Sequence, residues 1–97
     1  MTIKNDLEYW DIFGSFIELA NKHSDTVDYQ KVSAALLRAA ARFNSFSIWA
    51  GADNITKFKS EKDASRDYFS NEYNKLITES LDDFEANFDT YKIDNKR

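Results

Sequence analysis

In 97 residues the chain has no cysteine, no proline, two glycines and one histidine. Without cysteine there can be no disulfide, no thiolate metal site and no cysteine nucleophile. Without proline, and with glycine confined to Gly14 and Gly51, the chain lacks the punctuation that strands, hairpins and long ordered loops require. Two glycines so far apart cannot form a dinucleotide fingerprint or a phosphate loop, and no Gly-x-Ser-x-Gly elbow is present. A lone His23 has no second histidine with which to share a metal. The Glu-x-x-His motif of di-iron bundles is missing too, since Glu18 is followed at the third place by Asn21 and Glu72 by Lys75. The sequence therefore nominates no catalytic, cofactor or metal-binding residues, and the expected class is non-enzymatic. No segment approaches the ~18 consecutive apolar residues of a membrane span, and residues 1–6 carry no basic stretch leading into an apolar run. The expectation is a soluble, cytoplasmic protein that does not engage a membrane.

Aromatic residues are plentiful, with Phe 8, Tyr 5 and Trp 2, so rings should supply much of the burial. A chain of this length suits one domain with one core, here residues 1–97 with 1–5 and 92–97 frayed. The formal charge of −4 divides as −1 over residues 1–50 and −3 over 51–97. Such a balance disfavours a nucleic-acid binder, which usually shows a clear basic excess on one face.

The stretch from Val27 to Trp49 organises the rest. Val32, Leu36, Ala39, Phe43, Phe46 and Ala50 recur at alternating steps of three and four, which is the period of one helix face. Before it, Trp10, Phe13, Ile17 and Ala20 line one seam of a helix over about 7–22, and Tyr9, Ile12, Phe16 and Leu19 line another. Asn5 or Asp6 offers its N-cap. Gly14 inside this helix reads as a site of close packing against the alanines of the central helix. Ser24, Asp25, Thr26 and Asp28 are competing caps for the central helix, and the short turn predicts antiparallel neighbours. Gly51 suits a left-handed C′ residue, and Asp53 or Asn54 can cap the next helix. From Ile55 a polar first half leads into Phe69, Tyr73, Leu76 or Ile77, Leu81, Phe84, Phe88 and Tyr91 at helical spacing. Two readings of this third helix stay open. It breaks near Ser60 or Ser80, each opening a Ser-x-x-Asp sequence like a capping box, or it runs unbroken to Tyr91, which the stripe favours, with its excess length buried against a second copy.

Two surface features stand out. Lys31, Arg38 and Arg42 share a helix face and are candidate anion contacts, with Phe43 or Trp49 able to stack on a base; a solvated edge paired to acids is the plainer reading. Glu79, Asp82, Asp83, Glu85 and Asp89 run without an intervening base, yet no calcium-loop pattern accompanies them. Arg42 sits beside the apolar face and calls for a carboxylate, with Asp82 or Asp83 as the candidate.

The segment 31–46, with Ala-Arg-Phe-Asn at 41–44, and Leu-Asp-Asp-Phe at 81–84 followed by Glu-Ala-Asn-Phe-Asp-Thr-Tyr up to Tyr91, resembles domain-of-unknown-function family 3144. The resemblance covers about residues 9–91. It implies a small, cytosolic, single-domain bacterial protein, mainly proteobacterial in distribution, and supplies no catalytic residue to carry over.

Together these readings predict an all-α antiparallel bundle of three long helices, the third either continuous or broken into two. The expected role is a protein-interaction or regulatory module, with a homodimer as one form. Its predicted partner surface is Phe84, Phe88 and Tyr91 with Asp82, Asp83 and Glu85, because aromatics rimmed by charge suit interfaces. The alternatives are a nucleic-acid-associated regulator using Lys31, Arg38 and Arg42, and a small-molecule-binding bundle.

Overall fold

A computed structural model describes residues 6–94. The described chain is all-α, with three long helices and a short fourth: α1 (Leu7–Ser24), α2 (Tyr29–Ala50), α3 (Ile55–Ala86) and α4 (Phe88–Asp94). No strand occurs among the described residues. The helical class and the number of long helices agree with the periodicity. Residues 1–5 and 95–97, expected to fray, lie outside the described residues, whereas 92–94 belong to α4.

Each of the three long helices starts where a side-chain oxygen can take an orphan amide. Asp6 accepts from the Tyr9 amide at 3.0 Å, Asp28 Oδ1 from Gln30 at 3.0 Å, and Asn54 from Lys57 at 2.9 Å. These choices resolve the competing caps. Helix α1 ends with Lys22 and His23 in its last turn, where cations complement the dipole. Helix α2 ends beside Gly51, as expected, but Gly51 does not take the left-handed conformation. The Ala52 amide instead closes the end on the Trp49 carbonyl at 3.1 Å.

The third helix runs through both serines at which a break was expected. Ser60 does not cap; its hydroxyl donates back to the Lys57 carbonyl at 2.7 Å, and Asp63 pairs instead with Arg66 at 3.2 Å. The break comes at Asn87, so the stripe from Ile77 to Tyr91 is not one helix. The Asn87 amide and its Nδ2 both donate to the Asp83 carbonyl, each at 3.0 Å, and Nδ2 also donates to Asp83 Oδ1 at 3.0 Å. A side chain that competes for the helix's own carbonyl favours turning over propagation. The Tyr91 amide then bonds the Asn87 carbonyl at 2.9 Å and α4 begins.

Two compact units divide the chain, one holding the described residues up to Ala40 and the other those from Ala41 onward. The first contains α1 and residues 29–40 of α2. The second contains residues 41–50 of α2 with α3 and α4. No described residue of either unit is buried. All ion pairs among the described residues are local, three or four positions apart within α3. Gly14 shows the same thing. A methyl group placed there would meet nothing within 4 Å, so the close packing expected at Gly14 is absent.

Candidate interaction surface

The predicted partner surface divides at the α3–α4 junction. The Tyr91 hydroxyl donates to Asp83 Oδ2 at 2.9 Å, and its ring meets Phe84 edge-on with centroids 5.2 Å apart. In a straight helix, residues eight apart are separated by about 12 Å along the axis. The bond therefore depends on the turn at Asn87. A carboxylate that holds the phenol proton in place, helped by partial desolvation and by the carboxylate charge, raises the Tyr91 pKa above its ordinary value of 10.0. Phe88 stands apart from this cluster, with the Lys92 ammonium 5.1 Å from its ring centroid. Asp82 and Glu85 are exposed, and no ion pair among the described residues reaches either. Of the six residues nominated, the structure brings Asp83, Phe84 and Tyr91 together. It adds Asn87, which the sequence reading passed over and which a search for helix-terminating amides would have flagged.

Arg42 lines an open hollow of about 410 Å³ with Ser45, Phe46, Trp49 and Phe58. No ion pair joins Arg42 to Asp82 or Asp83, which corrects the expected pairing: the Asp83 carboxylate is held by Asn87 and Tyr91 instead. Phe58 is the sole aromatic in the polar stretch 55–67, and its isolation was the available signal. Along α2, Phe43, Phe46 and Trp49 form a tilted ladder with centroids 5.4 and 5.9 Å apart. Along α1, Tyr9, Trp10 and Phe13 meet edge-on at 4.9 and 5.6 Å.

What unites these features is exposure. Phe43 and Trp49 are 67% and 63% exposed, Leu81 62%, and Phe16 56%. Soluble monomers rarely present contiguous apolar patches beyond a few hundred Å². No helix among the described residues is long and apolar enough to cross a membrane. The exposed stripes are amphipathic faces, flanked by polar residues, of a kind that another helix covers.

Comparison with curated proteins and with solved structures found no match in either. A family model matches residues 9–84, which include both the Ala-Arg-Phe-Asn and the Leu-Asp-Asp-Phe segments, and the chain therefore belongs to DUF3144, a family of proteins of unknown function.

Proposed function

We propose that the chain is a non-enzymatic protein-interaction module whose helices complete their core against another helical surface, in a bacterial cytoplasmic setting. One observation carries the reading: large apolar side chains on all three long helices are exposed and no described residue is buried. In proteins most helical stability comes from packing an amphipathic face rather than from propensity, and local pairs such as Lys57–Glu61 and Glu72–Lys75 contribute only about 0.2–0.5 kcal/mol each. Apolar burial has to supply the rest, and it comes from contact with a partner. The non-enzymatic part rests on the sequence, which holds one histidine and no cysteine.

Thermal unfolding as a function of protein concentration tests this reading. A chain that needs a partner surface melts without cooperativity when dilute, or with a midpoint that rises with concentration. A cooperative transition at a concentration-independent midpoint would mean a core buried within one chain, and would overturn the proposal.

A further inference from the structure

We propose that the α3–α4 junction is a two-state elbow: a bent form latched by the Tyr91 hydroxyl on Asp83, in exchange with a straight form in which α3 runs on through α4 as one helix. Helix α3 ends at Ala86 and α4 starts at Phe88, so Asn87 alone lies outside both. Its backbone, at φ −116° and ψ 23°, is some 50–65° from the helical values of about −63° and −42°. That places it near the sparsely populated bridge region, without any left-handed conformation. The turns on either side keep helical bonds. The Asn87 amide still reaches the Asp83 carbonyl, four positions back, at 3.0 Å, and the Tyr91 amide reaches the Asn87 carbonyl at 2.9 Å. Straightening therefore asks one residue to rotate, which is how hinges at the ends of elements work.

The sequence favours the straight form. Residues 84–92 contain neither proline nor glycine, the two residues that most disfavour a helix interior. Ile77, Leu81, Phe84, Phe88 and Tyr91 follow one another at steps of four, three, four and three. At about 100° per residue they fall within an arc of roughly 80° on a single helix. The stripe thus continues in register across the break.

The contacts that favour the bend are few. Asn87 Nδ2 donates to the Asp83 carbonyl and to Asp83 Oδ1, both at 3.0 Å, and these bonds span only one helical turn. The Tyr91 hydroxyl donates to Asp83 Oδ2 at 2.9 Å, and the Tyr91 ring meets Phe84 at 5.2 Å between centroids. On a straight helix, Asp83 and Tyr91 lie about 12 Å apart along the axis, and Phe84 and Tyr91 about 10.5 Å. Straightening breaks the hydroxyl bond and the ring contact together, which makes Tyr91 the latch. Asp83 and Phe84 are exposed, while Asn87 and Tyr91 are only half-buried, so water competes for every contact that holds the bend. Helical continuity set against a few surface contacts leaves both forms populated. The elbow then decides how far the apolar face of α3 extends: to the turn at Asn87, or on to Tyr91.

Because the chain has no cysteine, the elbow can be measured with two introduced thiols. Asn71→Cys and Ile93→Cys place spin labels at exposed positions on either side of it. Pulsed electron double resonance reads the distance between them, with labelled chains diluted into excess unlabelled chain so that only distances within one chain count. The straight form separates the two positions by about 33 Å along the axis, and the bent form by less. The doubly labelled chain should show both distances. Adding Tyr91→Phe, which cannot donate to Asp83, should raise the ratio of long to short roughly tenfold, as expected for losing a hydrogen bond to a charged acceptor. Adding Phe88→Pro instead should remove the long distance, because proline is tolerated at the first position of α4 and not inside a continuous helix. A single short distance that Tyr91→Phe does not move would show a rigid bend and overturn the proposal. So would a long distance that survives Phe88→Pro, or a broad spread without a defined short distance in the chain that keeps Tyr91 and Phe88.

Discussion

Tyr91 and Asp83 are eight positions apart, yet their side-chain oxygens lie 2.9 Å from one another. The consequence is measurable as a titration. Because the pKa of Tyr91 is raised, its protonated form is the one favoured by the folded chain. The bond is fully present below the ordinary value near 10 and is lost as pH rises through the folded value. Tyrosinate absorbance should therefore show a component that ionises above the ordinary value, and Tyr91→Phe should remove it. A different residue-scale prediction concerns Gly14, where a methyl group meets open space. Gly14→Ala should raise helix stability by up to about 1 kcal/mol, measured as a higher melting midpoint. A lower midpoint would place a second surface against that glycine in the assembled protein.

Among the elements, α3 has the least apolar help, since its first half is polar and its ends rely on Asn54 and Asn87. Asn54→Ala should cost about 1 kcal/mol, because the Lys57 amide loses its acceptor. Asn87→Ala should let α3 propagate into α4, with two linked readouts: a gain in far-ultraviolet helicity and return of Tyr91 to ordinary titration. Much at this scale was legible in the sequence, because caps and periodicity are local. Leu7, Gly51 and Ile55 bounded helices in the chain as they do in the letters. Ser60 and Ser80 misled because a serine inside a helix can donate back to its own helix's carbonyls, as Ser60 does, and the four-residue pattern alone does not separate that from capping. Asn87 was missed because its effect comes from three hydrogen bonds converging on Asp83, which no spacing rule encodes. In the site, Asp83, Phe84 and Tyr91 could be nominated from their stripe. Phe58 and the hollow beside Arg42 depend on how two helix ends meet across 51–54.

None of the described residues is buried in either unit. Fifteen aromatic residues in 97 are ample for one core. Composition counts the apolar groups, however, and does not say whether the opposing surface belongs to the same chain. The same stripes that predict helices by their period are the surfaces left uncovered. If a partner surface covers them, helicity and binding are a single equilibrium, since burial against the partner supplies what local hydrogen bonds and exposed ion pairs do not.

The most direct test follows mass and helicity together as the wild-type chain is diluted, by light scattering coupled to size-exclusion chromatography and by far-ultraviolet circular dichroism on the same samples. The account predicts that a species of one-chain mass, 11.3 kDa, has reduced helicity and melts without cooperativity, and that helicity rises wherever the mass rises above that of one chain. A species of one-chain mass that keeps its full helicity and a cooperative melt at every concentration would contradict it.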